Sequence, residues 1–267
     1  MTRLKTEWID HMPTGMDAYN RMLKERTGLD LSGLVMQAYD LSGEELDRLR
    51  RTVKVCAVPV TQGLGIIGSF SESVASIVRS MGFQAEVSPA TDVEGIFRAK
   101  SSGAQVIFLA DDERFIALNT ENGRVGENDR CTALGYIEAA RAMAARRGKE
   151  LRELRVLQIG YGRVGRIAAE LLTERGIAFD LYDKDPGKGT QYRKTLSQKD
   201  FRDYDVILDF TNEGGWIEAD MVREDALYLS PGVPLSLTPE AARLLQGNSL
   251  YDQLEIGTAM MLGEVLI

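Results

Sequence analysis

Three glycines in this chain have the types and spacing of a dinucleotide-binding site. Gly160, Gly162 and Gly165 form the pattern G-x-G-x-x-G directly after the apolar run 156–159, and the helical pattern 163–175 follows them. In such a motif the first glycine permits a tight turn, the second lets a pyrophosphate approach the backbone, and the third lets the helix pack on the strand. The helix N-terminus then offers its N–H groups to the phosphates. The pattern therefore predicts a site for NAD or NADP.

Asp183 distinguishes between these two cofactors. It ends the strand-like run 178–182 and lies about 20 residues after the glycine turn, where an acid is expected to accept hydrogen bonds from the adenosine ribose. A carboxylate at this place repels a 2′-phosphate, so we predict NAD. The alternative is a glycine turn that binds no nucleotide, but the flanking strands and the acid favour the cofactor.

Two further strand ends are expected to lie beside the cofactor. The buried strand-like runs 205–210 and 226–229 each lead into a polar or rigid turn, and ligands of open α/β sheets bind outside the carboxyl ends of the strands. Together with the glycine motif, these turns give six more candidate cofactor-binding residues: Arg163, Val164, Thr211, Asn212, Pro231 and Gly232.

The first half of the chain contains a second candidate site. The strand-like run 53–58 leads into loop 59–71, which is rich in glycine and precedes a helical pattern with Ser71 as the expected N-cap. Such a loop either forms a substrate cradle or is a simple connection with apolar anchors. Asp111 is the first polar residue after the strand-like run 105–109. It would suit a cationic group such as an ammonium, and a solvated acidic loop is the alternative.

Composition limits the partners and the location. The net charge is −8 over 267 residues, which argues against nucleic acid or an anionic membrane as a partner. No signal peptide is evident, and no apolar run approaches the roughly 18 residues that span a bilayer. We therefore expect a cytoplasmic protein. Cys56 and Cys131 form neither a disulfide framework nor a metal cluster, and the one histidine, His11, is not expected to be catalytic. A homodimer is the commonest oligomer for such a protein.

Alternating strand and helix patterns predict an α/β fold with two domains. Residues 1–150 are expected to form a substrate-binding domain with a parallel sheet, residues 151–255 a Rossmann NAD-binding domain, and residues 256–267 a helical tail that packs back on the first domain. The helical pattern at 7–27 has one apolar face. Docking to a core usually explains such a face, and a lid over the substrate is the alternative.

Three local features are also predicted. In the second domain, Thr238 is the expected N-cap of a helix over residues 237–245, with Pro239 at its first position. In the first domain, Asp92 is the expected N-cap of a helix over residues 92–101, and residues 119–129 are expected to form a loop with a turn at Asn122 and Gly123.

From the residues alone, the expected activity is an NAD-dependent dehydrogenase. Because no convincing histidine base is present and Asp111 lies at a strand end, oxidation of a carbon that bears an amine fits somewhat better than oxidation of a carbon that bears oxygen. Another NAD-dependent enzyme of an amino or hydroxy acid, or a non-catalytic NAD-sensing protein, stays open.

Several loops together resemble the family of the dehydrogenase that completes pyrrolysine biosynthesis (PylD). The segment 58–71, with the sequence VPVTQGLGIIGSFS, carries the most specific part of the likeness. The other matching segments are Thr27-Gly28-Leu29-Asp30, Ala110-Asp111-Asp112, Cys131-Thr132, the glycine motif, Ser230-Pro231-Gly232 and Ile256-Gly257-Thr258-Ala259.

The resemblance implies both a substrate and roles for residues. Members of this family use NAD to oxidise the terminal amine of L-lysine-Nε-3R-methyl-D-ornithine, and the product closes to L-pyrrolysine. Asp111 would bind this amine and help it to lose a proton. The other substrate-binding residues would be Leu4 on the N-terminal helix, Gln62, Phe70, Ala110 and Asp252, and the resemblance adds Ile256 and Thr258 to the residues that bind the cofactor. Gln62 stands where we expect Ser, Asp252 where we expect Glu, and Glu255 where we expect a small residue.

Overall fold

Most strands of the protein are short, apolar and buried. A computed structural model of the chain describes residues 4–192 and 198–267. Within these residues the strands are β1 Lys54–Val58, β2 Gln84–Val87, β3 Val106–Ala110, β4 Phe115–Asn119, β5 Val125–Glu127, β6 Val156–Ile159, β7 Phe179–Tyr182, β8 Val206–Asp209, β9 Leu227–Ser230 and β10 Ser249–Tyr251.

The described residues form ten α-helices, some of which begin at a side-chain cap. They are α1 Thr6–Ile9, α2 Met12–Thr27, α3 Leu31–Tyr39, α4 Gly43–Thr52, α5 Phe70–Ser80, α6 Asp92–Ser101, α7 Asn128–Arg146, α8 Arg163–Glu174, α9 Pro239–Leu244 and α10 Glu255–Leu266. Short 3₁₀ turns occur at Leu151–Glu153, Gln198–Asp203 and Ala219–Met221. Thr238 accepts a hydrogen bond from the Ala241 N–H and precedes Pro239 at the first helical position, as the sequence predicts.

Two predicted N-caps are wrong. Helix α5 begins one residue before Ser71, at Phe70, because Ser69 turns the chain with a φ of 65°. Helix α6 begins at Asp92 itself, and Thr91 holds the cap position. The Asp92 carboxylate instead accepts hydrogen bonds from the N–H of Thr61 at 2.8 Å and from its hydroxyl at 2.7 Å. It thereby fixes the beginning of the loop after β1.

The chain divides into two units. The described residues of unit 1 are 4–22, Asp30–Gly135 and Leu254–Ile267, and unit 2 consists of Leu23–Leu29 and Tyr136–Gln253. The division falls at Tyr136, within α7, whereas the sequence pattern places a boundary near residue 150. The domain bounds derived from the sequence stay a prediction.

Unit 1 contains a mixed sheet in the order β2-β1-β3-β4-β5. The pairs of β1 with β2 and β3 are parallel, as expected, whereas β4 pairs antiparallel with β3 and β5 pairs antiparallel with β4. Strand β5 lies within the loop that was expected at residues 119–129, and β4 ends at the first residue of that range, Asn119. Helix α10 packs against α3, α5, β4 and β5. Its backbone is also held by side chains, since Asn119 donates to the Val265 carbonyl and Tyr39 to the Met260 carbonyl, both at 2.9 Å.

Unit 2 contains a parallel sheet in the order β10-β9-β8-β6-β7 within the described residues. Its core includes Leu157 and Ile159 of β6, Ile207 of β8 and Tyr228 of β9, all of them buried. The carboxyl ends of β6, β7 and β8 lie in register, because Ile159 pairs with Tyr182 and with Asp209. The turns that follow these three strands are therefore neighbours.

The described part of the chain contains no helix that is long and apolar enough to cross a membrane.

Candidate functional site

The glycine turn after β6 is built by close packing. Gly160 has a φ of 89°, which favours glycine, and a Cβ atom at Gly165 would lie 2.2 Å from the Gly160 carbonyl oxygen. The buried Gln158 side chain holds both residues, because its Nε2 donates to the carbonyls of Gly160 at 3.0 Å and Gly165 at 2.7 Å. Two of the three glycines therefore shape the turn.

Gly162 differs from the other two, because among the described residues no atom outside its immediate chain neighbours lies within 4 Å of the place where its Cβ would be. It is also the N-cap of α8, with no side chain to cap the helix. An uncapped helix N-terminus beside an open glycine backbone is a usual place for a phosphate group. The turn therefore fits the pyrophosphate of a dinucleotide.

Asp183, at the end of β7, is bound to the same turn. Its side chain accepts hydrogen bonds from the N–H groups of Tyr161 at 2.7 Å and Asp185 at 2.8 Å. The residue is 8% exposed. Because each carboxylate oxygen can accept more than one hydrogen bond, this arrangement leaves acceptor capacity for a ribose hydroxyl.

A cavity of about 260 Å³ in unit 2 brings several predicted cofactor residues together: Gly160, Gly162, Asp183, Thr211 and Asn212. Arg163, Val164, Gly165, Pro231 and Gly232 do not line it. Gly232 instead packs behind the cavity wall, since its Cβ would lie 1.9 Å from the Thr211 carbonyl oxygen. Sequence reasoning missed seven lining residues: Ile159, Tyr182, Lys184, Lys188, Phe210, Glu213 and Trp216.

A buried carboxylate supports the Thr211 turn. Asp209, at the end of β8, is 0% exposed and accepts hydrogen bonds from the Tyr228 hydroxyl at 2.6 Å, the Thr211 hydroxyl at 2.7 Å and the Thr211 N–H at 2.9 Å. Burial raises the pKa of Asp209 above its ordinary value, while these hydrogen bonds lower it. The burial of Tyr228 and the nearby Asp209 likewise raise the pKa of its phenol. This polar cluster positions the strand end that faces the cavity.

Unit 1 has a second cavity, of about 60 Å³, at the carboxyl ends of β1 and β3. Leu4, Phe70, Ala110 and Asp111 line it, and all four were predicted to bind the substrate. The rest of the lining is mostly apolar and comes from β1, α5 and the loop between them: Ala57, Val58, Pro59, Val60, Gly65, Ile66, Ile67, Ser71, Val74, with Phe108 and Asp112 from β3 and its end.

Asp111 is held by the turn that follows β3. One of its carboxylate oxygens accepts hydrogen bonds from the N–H groups of Glu113 at 2.8 Å and Arg114 at 2.7 Å, and its own N–H donates to the Arg114 carbonyl. The side chain is exposed. An oriented carboxylate beside an apolar pocket can bind an ammonium group on an aliphatic chain.

Besides the five residues named above for the cofactor cavity, four more predicted site residues lie outside both cavities. Gln62 is exposed and lines neither of them, and Asp252 is buried in unit 2, where its N–H donates to the Tyr136 hydroxyl at 3.1 Å. Ile256 and Thr258 are buried in the first turn of α10. Among the described residues the Thr258 hydroxyl has no hydrogen-bond partner. The roles of these four residues stay predictions.

Known proteins resemble this chain over most of its length. Residues 9–126 match the family model of the pyrrolysine biosynthesis protein PylD, N-terminal domain. The pyrrolysine synthase of Methanosarcina acetivorans is 31% identical over 266 residues, which cover 95% of this chain and 98% of that protein. That of Methanosarcina barkeri is 32% identical over 250 residues, covering 91% and 90%.

A solved structure confirms the two-domain α/β fold class. The bifunctional methylenetetrahydrofolate dehydrogenase/cyclohydrolase FolD of Campylobacter jejuni superimposes with a TM-score of 0.55 at 13% identity, over 91% of this chain and 96% of that one. At this identity the likeness concerns the fold. The sequence matches decide the family, and they confirm the resemblance seen in the loops: the chain belongs to the PylD family of pyrrolysine synthases.

Proposed function

We propose that this protein is an NAD-dependent dehydrogenase of pyrrolysine biosynthesis. It oxidises the terminal amine of L-lysine-Nε-3R-methyl-D-ornithine, and the product closes to the pyrroline ring of L-pyrrolysine. The observation that carries the proposal is Asp111, an oriented carboxylate at an apolar pocket, in a chain 31% identical to a pyrrolysine synthase.

The pocket of unit 1 suits the amine end of this substrate. The apolar walls, among them Phe70 and Ile67, would cover the aliphatic carbons, and Asp111 would pair with the terminal ammonium. Leu4 lies just before α1 and lines the same pocket, which supports the proposal that the N-terminal helix closes over the substrate.

The reaction needs one hydride and one proton to leave the substrate. NAD would accept the hydride from the carbon that bears the amine. Asp111 would hold the ammonium and receive its proton, which passes to solvent, so that an iminium results. The second amine of the same molecule then attacks this carbon, and ammonia leaves as the cyclic imine forms. Proximity favours this ring closure, because both groups belong to one molecule.

NAD, rather than NADP, is the proposed cofactor. Asp183 lies at the rim of the glycine turn with both carboxylate oxygens near backbone donors, and a second negative charge beside it would be repelled. Replacing Asp183 by Asn, which keeps an acceptor oxygen, should raise affinity for NADP relative to NAD. Calorimetric titration with each cofactor checks this, and an unchanged ratio of the two dissociation constants would contradict the specificity.

The decisive experiment compares Asp111→Asn with the native protein. Asparagine keeps the oxygen that accepts from Glu113 and Arg114, so the turn is preserved while the charge is removed. Because a hydrogen bond to a charged group contributes about 1.5–3 kcal/mol, kcat/KM should fall by about 10- to 150-fold. NADH absorbance measures the rate, and mass spectrometry identifies the product. The dissociation constant of NAD should not change.

Three outcomes are informative. NADH formation by the native protein with a product of the mass of pyrrolysine, at a rate that falls by this factor in the variant, supports the proposal. Native turnover in Asp111→Asn would refute the role of this carboxylate. NAD binding without NADH formation in the native protein would refute the substrate, and would favour another amine or hydroxy acid, or an NAD sensor. The cytoplasmic location, the homodimer and the absence of a nucleic-acid partner stay predictions from the sequence.

A further inference from the structure

We propose that Asp112 is a positioning residue for the substrate pocket: its carboxylate tethers the tip of loop 62–68 and so positions part of the wall of the pocket that Asp111 also lines. This inference rests on the proposed function for the identity of the substrate, but the tether itself is a property of unit 1. Neither the glycine motif nor the candidate roles above involve Asp112.

The tether is a short hydrogen bond combined with close packing. One carboxylate oxygen of Asp112 accepts from the Leu64 N–H at 2.6 Å. At Gly63, a Cβ atom would lie 2.1 Å from the same oxygen and 2.9 Å from the carboxyl carbon of Asp112. Gly63 also has a φ of 79°. The loop therefore passes directly over the Asp112 carboxylate, and only glycine permits this approach without displacement.

Burial contributes little to holding the loop tip. Leu64 is 79% exposed and Ile66 is 51% exposed, and a Cβ at Gly65 would have no atom within 4 Å. The two ends of the loop are better fixed. Asp92 binds the backbone and hydroxyl of Thr61 before the loop, and Gly68 packs against Thr6, whose hydroxyl would lie 3.0 Å from an added Cβ. Hydrogen bonding at Leu64 therefore has a large share in the position of the tip.

The position of the tip matters because its residues line the pocket. Gly65, Ile66 and Ile67 face the same cavity as Asp111. The adjacent carboxylates of Asp111 and Asp112, after the end of β3, thus have different roles. Asp111 is oriented by the turn over Glu113 and Arg114, and Asp112 holds the wall that confines the substrate beside it.

Two substitutions of Asp112 distinguish the effect of its hydrogen bond to Leu64 from the effect of its negative charge. Asp112→Ala removes the acceptor, whereas Asp112→Asn keeps an oxygen for the Leu64 N–H. Thermolysin, which cleaves before large apolar residues, reports directly on the loop, and mass spectrometry locates cuts before Leu64, Ile66 and Ile67. We expect cleavage about tenfold faster in Asp112→Ala and within about threefold of native in Asp112→Asn. The midpoint of thermal unfolding shows whether the rest of unit 1 is unchanged.

Kinetics then link the loop to the substrate. Asp112→Ala should raise KM for L-lysine-Nε-3R-methyl-D-ornithine by about tenfold and change kcat less than about threefold, with the NAD dissociation constant unchanged. Asp111→Asn is the matched control: its kcat/KM should fall by about 10- to 150-fold while the loop stays as resistant to thermolysin as in the native protein. Equal KM effects in Asp112→Ala and Asp112→Asn would mean that the charge acts on the substrate, and would overturn the tether.

A second variant tests the tether independently of Asp112→Ala. Gly63→Ala places a methyl group against the carboxylate and should also speed cleavage of the loop. In the double variant Gly63→Ala/Asp112→Ala this overlap is gone, so the two effects should be far from additive. Additive effects, or native resistance of Asp112→Ala to thermolysin, would refute the proposal. Because thermolysin cleavage needs no substrate, the cleavage rates test the tether even if the protein does not catalyse the proposed reaction.

Discussion

Replacing the last two glycines of the dinucleotide motif by alanine separates two physical requirements of one turn. Neither Gly162 nor Gly165 has a positive φ, so the backbone of each accepts alanine. At Gly165 the new methyl would lie 2.2 Å from the Gly160 carbonyl oxygen and 3.0 Å from its carbon, whereas at Gly162 no atom lies within 4 Å. We therefore expect Gly165→Ala to lower the stability of the protein, and Gly162→Ala to weaken only the binding of a ligand at the turn.

The expected magnitudes follow from these distances. An overlap of this size forces α8 away from the turn, and overpacking of a tight contact costs about 1–3 kcal/mol. For a chain of this length each kcal/mol lowers the unfolding midpoint by about 2–4 °C, so the midpoint of Gly165→Ala should fall by about 2–12 °C. Gly162→Ala should change stability by less than about 0.5 kcal/mol. Its methyl group occupies the approach of the pyrophosphate, so NAD affinity should fall at least about tenfold.

Two measurements on each variant are sufficient. Circular dichroism gives the unfolding midpoint without cofactor, and calorimetry gives the NAD dissociation constant. Saturating NAD should also raise the midpoint of the native protein, since a ligand stabilises the state that it binds, and this rise should be much smaller in Gly162→Ala. Native NAD affinity in Gly162→Ala would refute the reading of this turn as a pyrophosphate site. A native midpoint in Gly165→Ala would refute the packing argument.

Three further predictions concern buried groups and one helix cap. Burial holds the pKa of Asp209 above its ordinary value of 3.8, so the stability that its protonated form contributes is lost as the pH rises from 3.8 through the raised pKa. In urea unfolding across this range, the unfolding free energy of Asp209→Asn should therefore rise relative to that of the native protein, and a constant difference would contradict the prediction. Burial raises the pKa of Cys56 to about 11 and that of Cys131 to about 12. Neither thiol should therefore react with iodoacetamide at pH 8 until the chain unfolds, and rapid labelling of the folded protein would refute this prediction. Thr238→Ala removes the acceptor for the Ala241 N–H, so its unfolding free energy in urea should fall by about 1 kcal/mol, whereas that of Thr238→Ser should stay near native. Equal losses of stability in the two variants would show that the hydroxyl is not the cause.

The sequence predicts elements best where a local pattern is long or chemically specific. The glycine motif, the parallel strands and the cap at Thr238 are of this kind, and the structure contains all of them. Strands β4 and β5 were not predicted, because β5 has only three residues, too few for an alternating pattern, and the turn at Asn122 and Gly123 accounts for only the connection between them. These strands form because β4 pairs with β3, β5 pairs with β4 and both pack against α10. None of these contacts is visible in a local window.

The candidate site shows the same limit. Gly160, Gly162 and Asp183 could be predicted because one motif contains their whole spacing. Trp216 and Lys188 line the same cavity, but they come from separate turns whose proximity depends on the sheet order. Asp92 was expected to cap a helix, and its partner is Thr61, 31 residues away in the chain. Short-range propensity cannot report a contact of that kind.

Helix α10 has a consequence for synthesis of the protein. Residues 254–267 belong to unit 1, and most of them are buried against α3, α5, β4 and β5. A ribosome makes them only after it has completed all of Tyr136–Gln253. The surface of unit 1 that α10 covers in the folded protein is therefore exposed while unit 2 is synthesised. Domains usually complete their folding in the order of synthesis. In this chain, unit 1 is the first unit to be synthesised but the last to be completed. A chaperone that shields apolar surfaces would therefore act longest on the surface of unit 1 that α10 covers.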